Sequence, residues 1–279
     1  LVQHPIVKAV PTLDVDGMLL TQAQHEAVRR ALSYPLSIVT GLPGTGKTTV
    51  VTTMVREAES RGQRVALAAP TWQAAERLAA VTGSHAMTVH RLLEWNMKDA
   101  PRRDAVLPLD CDLLVVDEAP LEDLAVMAKL LAAIRPARTR VVLVGDVHQL
   151  PSVGCGQVMK DLIRSNLCPV TQLLEIQRQA CDSTIITLSH DVHYGRVKGL
   201  RSGTIGDCEF HFETAGALEI RRRLLTRLSS LYDEFDDVQV LSPMHKGPLG
   251  TLELNRAIQQ LHYPDEVESV GGFVRGDRV

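Results

Sequence analysis

No apolar run in the sequence approaches the roughly 18 residues that a membrane-spanning helix needs. The N-terminus, Leu1-Val2-Gln3-His4-Pro5, lacks the charged, apolar and small-residue succession of a secretory leader. These absences point to a soluble, cytoplasmic protein with no membrane partner. An initiator Met is missing as well, from which the expectation is that the chain begins inside a longer protein. Cysteine is scarce: there are 5, namely Cys111, Cys155, Cys168, Cys181 and Cys208, an odd number never in C-x-x-C spacing. That pattern argues against a disulfide framework or a zinc site and fits buried thiols in a reducing compartment. His190 and His193 form an H-x-x-H, but no Cys or carboxylate stands at a matching spacing, so metal binding is not expected there. Nor is charge of one sign in excess. A net charge of −3 does not announce a nucleic-acid binder. A groove, however, needs only a local basic lining, and Arg91, Lys98, Arg102, Arg103 and Lys246 are candidates, each also readable as solvated surface.

What is present is a chain of 279 residues and 45% apolar content, enough for one large domain or two of about 140 residues. It is organised around Gly41-Leu42-Pro43-Gly44-Thr45-Gly46-Lys47-Thr48, between an apolar run (Leu36 to Val39) and a segment with helical apolar spacing (Val50, Val51, Met54, Val55, Ala58). Strand, glycine loop and helix in that order make a phosphate cradle. The glycines let backbone N–H groups turn inward, and the helix N-terminus adds the positive end of its dipole. Gly41, Pro43, Gly44, Thr45, Gly46, Lys47, Thr48 and Thr49 are the candidate nucleotide contacts. Lys47 is expected to reach the β and γ phosphates and Thr48 to ligand Mg²⁺.

Before the cradle, residues 1–20 read as a linker, and a helix is expected from Thr21, its N-cap, to Leu32. Gln24 lies in the first turn and, on the residues alone, reads as exposed. After it, Arg64 to Ala69 forms a short apolar strand ending at Pro70-Thr71, followed by a helix from Trp72 to Val81. Strand alternating with helix predicts right-handed crossovers and a parallel sheet with its ligand at the strand C-termini. Thr88 to Leu93 reads as a short helix, and Glu94 to Asp110 then loses all periodicity, as an inserted hairpin or loop or a surface excursion would. Cys111 to Val116 is a buried strand delivering Asp117 and Glu118. Beside a phosphate loop, Asp117 fits the Mg²⁺ shell and Glu118 the polarisation of an attacking water. Val141 to Val144 repeats the pattern and ends in Gly145-Asp146, with Gln149 placed to sense a γ-phosphate.

With these three stretches in one order, the chain resembles a superfamily 1 helicase of the RecD-like, 1B branch. Ala69-Pro70-Thr71, Thr88-x-His90-Arg91-Leu92-Leu93, Arg178-Gln179-Ala180 and Pro243-Met244-x-Lys246-Gly247-Pro248 extend the match from about Leu20 to the last residue. The resemblance implies a RecA-like α/β domain over 21–168 and the first part of a second RecA-like domain over 169–279, cut off before motifs V and VI. It implies Gln24 as the adenine reader, Arg178 as an arginine finger toward the γ-phosphate, and Lys47, Asp117, Glu118, Gln149 and Arg178 as the catalytic set. Thr71, Trp72, Thr88, His90, Arg91 and Lys246 are assigned to a single-strand track, and residues 94–108 to a pin that splits the duplex. Several residues depart from the family pattern: Leu42 and Trp72 for Gly, Pro120 for Ser, His148 for an acidic residue, Cys155 for Pro, and Gln177 for an aromatic. Trp72 either stacks on a base or blocks the track, and Pro120 removes a hydroxyl between metal site and DNA. The implied function is ATP- and Mg²⁺-dependent 5′ to 3′ movement on single-stranded DNA with unwinding at duplex junctions, in repair or recombination. A catalytically weak ATP-gated DNA-binding module and a phosphate-loop ATPase acting on a protein partner are the alternatives.

Overall fold

The structure is a computed structural model, and it describes residues 14–15, 18–96, 99–175, 184–196, 203–205, 208–235, 238–263 and 272–274. The chain divides into two compact units, Leu1–Lys198 with Gly206–Cys208, and Gly199–Ile205 with Glu209–Val279.

The first unit opens with a short antiparallel pair, β1 (Asp14–Val15) and β2 (Met18–Leu19). Six strands then build one parallel sheet: β3 (Leu36–Gly41), β4 (Val65–Ala69), β5 (Ala86–Thr88), β6 (Leu113–Val116), β7 (Arg140–Gly145) and β8 (Val170–Leu173), in the order β5-β4-β6-β7-β3-β8. The unit thus continues past Cys168, since β8 pairs with β3. Both faces of the sheet are covered, which is why the central strands read as continuous apolar runs. Ile38, Leu114, Val116, Val141 and Leu143 pack on one face, whereas Val39, Leu113, Val115, Val142 and Val144 pack on the other. The first face is covered by α4 (Val89–Leu92), α5 (Leu124–Ala132) and α6 (Val158–Ser165), the second by α1 (Gln22–Ser33), α2 (Lys47–Ser60) and α3 (Trp72–Thr82).

Local signals set the helix ends. Thr21 Oγ1 accepts from Gln24 N–H while Gln24 Oε1 accepts from Thr21 N–H, a reciprocal cap on α1. Thr71 and Asp123 cap α3 and α5 one-sidedly, accepting from Ala74 and Val126 N–H, and Gly83, at φ 70°, closes α3. The expected helix over Thr88–Leu93 is shorter than read, because Thr88 ends strand β5 and caps α4 rather than entering it. Helix α7 (Thr184–His193) also belongs to this unit. Among the described residues no helix is long and apolar enough to cross a membrane.

In the second unit, β9 (Gly203–Ile205) pairs with β10 (Cys208–Phe210). Helices α8 (Ala217–Glu234) and α9 (Thr251–His262) pack on one another and bury Leu228, Leu254 and Ala257.

Candidate phosphate-binding site

The sheet order decides where the chemistry gathers. β7 lies between β3 and β6, with Thr40 beside Gly145 and Leu143 beside Val116. The loops leaving three adjacent strand ends therefore carry Lys47, Asp146 and Asp117-Glu118 side by side, at the C-terminal edge where open parallel sheets bind ligands.

Between β3 and α2 the chain turns through Gly44 (φ 78°) and Gly46 (φ 83°), both in the left-handed region that favours glycine. Gly41 is required for a different reason, since a Cβ there would lie 2.6 Å from Thr45 Oγ1 and 2.8 Å from the Leu173 carbonyl. Leu42 takes no positive φ and is unstrained in its place. The loop's carbonyls are held by the protein. Lys47 Nζ donates to Gly41 O at 2.7 Å and to Leu42 O at 3.1 Å, and Thr45 Oγ1 donates to Leu42 O at 2.8 Å. Pro43 O lies 3.2 Å from His190 Nε2, and Thr45 O accepts from Gln24 Nε2 at 3.4 Å. The N–H groups are not spent in this way: among the described residues none from Gly44 through Thr49 donates to a protein acceptor. A run of free N–H groups at the start of a 14-residue helix is an anion-binding nest.

Gln24 corrects the reading made from the residues alone. It is buried, at 3% exposure, with its amide divided between the α1 cap and Thr45 of the loop. Thr45 is buried, whereas Thr48 is exposed and Thr49 half-buried, its carbonyl accepting from Thr53 Oγ1.

Asp117 follows β6, and its N–H donates to Ala68 O. Burial pushes its carboxyl above the usual range, against the Glu118 N–H that it accepts at 3.0 Å and the nearby Lys47 and Arg77. Glu118 takes a left-handed backbone (φ 50°, ψ 33°), which costs a non-glycine residue about 1 kcal/mol or more and turns the chain sharply into the 3-10 turn Ala119–Leu121. Its carboxyl is raised first by burial and then by Asp117. Burial lowers the Lys47 ammonium, and Asp146, Glu118 and Asp117 oppose that shift. Asp146 is buried, accepting from His148 N–H at 2.9 Å and from Gln149 Nε2 at 3.5 Å, while Gln149 itself is exposed.

Arg77 was missed by the sequence reading. It is an exposed α3 residue with no ion pair among the described residues, yet its charge acts on Lys47, Asp117 and Glu118. Its signal was available: it is the one cation on the helix that leaves the Ala69-Pro70-Thr71 turn. Pro120 sits in the first turn after Glu118, and a Cβ on Gly145 would lie 2.3 Å from its Cδ. Proline at 120 is therefore matched to glycine at 145.

Of the proposed track, Thr71 Oγ1 and Thr88 Oγ1 are engaged in capping, accepting from Ala74 and Arg91 N–H. Trp72 is 62% exposed in the first turn of α3. His90 stacks on Trp95 with centroids 5.2 Å apart, and Arg91 is exposed. Lys246 is exposed in the second unit. The basic lining is thinner than expected, since Arg102 and Arg103 both pair with Glu94, at 3.1 and 2.5 Å. No strand forms among the described residues of 94–108. Cys155 is exposed, which corrects the expectation of uniformly buried thiols, whereas Cys111 and Cys168 are buried. Arg178, Gln177 and Lys98 lie outside the described residues.

Comparison with known proteins follows the same outline. The family described as AAA domain matches residues 19–205. The ATP-dependent RecD2 DNA helicase of Deinococcus radiodurans is 38% identical over 88% of this chain and 33% of its own length. The RecBCD enzyme subunit RecD of Mycobacterium tuberculosis is 32% identical over 85% of this chain and 48% of its own. The chain thus spans about a third to a half of these relatives. Among solved structures, the Pif1 helicase from Candida albicans superposes with a TM-score of 0.51 at 17% identity, covering 80% of this chain and 56% of that one, a likeness of fold.

Proposed function

From a chain that belongs to the AAA-domain family, in its RecD-like superfamily 1 helicase branch, we propose an ATPase that moves 5′ to 3′ on single-stranded DNA and opens duplex junctions, in repair or recombination. The observation that carries the nucleotide part is the loop whose carbonyls are engaged by Lys47, Gln24 and His190 while, among the described residues, the N–H groups of Gly44 to Thr49 stay free. That arrangement suits a polyphosphate, and the half-buried Lys47 ammonium supplies the matching charge.

Thr48 and Asp117 are the oxygen donors that would hold Mg²⁺, whose usual shell of one or two protein oxygens, waters and phosphates needs no all-protein cage. When bound, Mg²⁺ supplies charge neutralisation at the β and γ phosphates. Glu118 orients and deprotonates the attacking water. Burial and the neighbouring Asp117 raise its carboxyl toward neutrality, which makes it a better proton acceptor. Gln149, tied to Asp146, reports the γ-phosphate, Gln24 serves the base side of the loop, and Arg178 neutralises charge developing in phosphoryl transfer. Trp72 offers a stacking face, with Thr71, Thr88, His90, Arg91 and Lys246 along the strand and 94–108 at the junction. The exposure of Trp72 and the wedge of Pro120 on Gly145 favour a second reading, nucleotide-gated DNA binding with weak turnover.

The test is paired titration of a fluorescent ATP analogue and of labelled single-stranded DNA into wild type and Lys47→Ala. Nucleotide binding lost in the variant, with DNA binding retained, supports the assignment. Equal nucleotide affinity in both proteins would remove the phosphate loop from the account.

A further inference from the structure

The engaged carbonyls of the phosphate loop divide by what holds them. Gly41 O and Leu42 O are held by Lys47, the side chain that has to turn toward a phosphate. Pro43 O and Thr45 O are held from outside the loop, by His190 and Gln24. Once Lys47 swings inward, those two anchors and the Thr45 hydroxyl on Leu42 remain.

His190 makes its contact from α7. Its ring is buried, at 9% exposure, and Nε2 lies 3.2 Å from Pro43 O. A carbonyl only accepts, so Nε2 carries the proton and donates. His193, one turn later on the same face, packs edge-on against His148 with centroids 4.2 Å apart. His148 is in turn anchored through its N–H on Asp146. Two side chains of α7 thus touch the two loops that flank the phosphate site. Neither histidine belongs to a group of three or more metal-ligating side chains among the described residues.

We propose that His190 is a positioning residue of the nucleotide site: it pins Pro43 outward, keeps the loop N–H groups turned inward, and ties α7 to phosphate-loop occupancy. The proposal rests on the nucleotide-binding reading above. Because the pinned carbonyl belongs to the loop expected to cradle the phosphates that ADP and ATP share, the two nucleotides are affected alike.

The experiment uses the full chain, with fluorescent ADP titration and hydrogen–deuterium exchange with and without saturating ADP. In wild type, ADP slows exchange both in the phosphate-loop peptide and in α7. In His190→Ala the ADP Kd rises about 2- to 10-fold, as expected for loss of one hydrogen bond. Phosphate-loop protection persists at saturation, and the α7 response disappears. His190→Gln, whose amide can donate to the same carbonyl, recovers most of both, and it carries the test if the alanine variant does not fold. A lowered melting temperature in His190→Ala with wild-type Kd and wild-type α7 response overturns the proposal. So does a wild-type α7 indifferent to ADP while the phosphate loop is protected. Absence of protection at the wild-type phosphate loop overturns the nucleotide reading itself and the proposal with it.

Discussion

Replacing Glu122 by Gln should stabilise the protein above about pH 4.5, increasingly so up to about pH 7 and in full beyond it. Glu122 follows the 3-10 turn after Glu118, is 5% exposed, and has Oε1 buried with no hydrogen-bond partner. Burial first, then the charge of Asp123, push its carboxyl from 4.5 up to about 7. At about 1.4 kcal/mol per decade that rise corresponds to about 3 kcal/mol, or about 2 kcal/mol after a discount for solvent screening. The sign follows from proton binding. The folded state holds the proton more tightly than the unfolded chain, so wild type is penalised in full above pH 7. The penalty fades as pH falls from about 7 and vanishes below about 4.5. Gln mimics the protonated carboxyl at every pH. Urea denaturation at pH 8 should therefore place the Glu122→Gln midpoint about 1 M above wild type, for a slope of about 2 kcal/mol per molar. At pH 4.5 the two curves should coincide. An offset of the same size at both pH values, or a destabilised variant at pH 8, would refute the reasoning, because it would mean that the ionised carboxylate is well served where it lies.

Glu118→Gln should keep nucleotide affinity within a few-fold and lower turnover about 10²- to 10⁴-fold, read by titration and steady-state hydrolysis. A large loss of affinity would instead make Glu118 a binding group. Gly145→Ala should destabilise by about 1–3 kcal/mol, since the new Cβ meets a rigid proline ring, and adding Pro120→Ala should recover much of that in a double-mutant cycle. Additive effects would exclude the contact. Thr21→Ala should cost about 1 kcal/mol by loss of the α1 cap, and it should also weaken nucleotide binding because the Thr21 hydroxyl no longer helps to hold Gln24 where its amide donates to Thr45 O. Arg178→Ala should slow turnover far more than it weakens ATP binding, and equal losses would count against an arginine finger.

The parallel sheet and the order of its chemistry were legible because they rest on local signals. Apolar runs ending in Gly or Asp mark strand ends, and Gly44 and Gly46 carry the positive φ that the phosphate turn needs. The cap at Thr21 was legible for the same reason. What stayed hidden depends on residues distant in sequence. Gln24 reads as an exposed polar residue until the loop at Thr45 arrives to bury it. The strand Ala86–Thr88 is too short for periodicity and is fixed by pairing with β4. The Glu122 carboxyl is one more acidic residue in an acidic stretch, and only burial between elements makes it unusual. His190 and His193 drew notice as a failed metal spacing, whereas their contacts are to Pro43 and His148. Arg77 shows the same limit from the other side, since an exposed helix cation gains meaning only from the carboxylates across the strand ends.

The most direct test of the central claim is steady-state ATP hydrolysis by this chain, with and without single-stranded DNA, using Lys47→Ala as the blank. The account predicts hydrolysis above the blank that rises strongly when DNA is added and weakens with salt, as phosphate contacts require. A rate equal to the Lys47→Ala blank in the presence of DNA would contradict it.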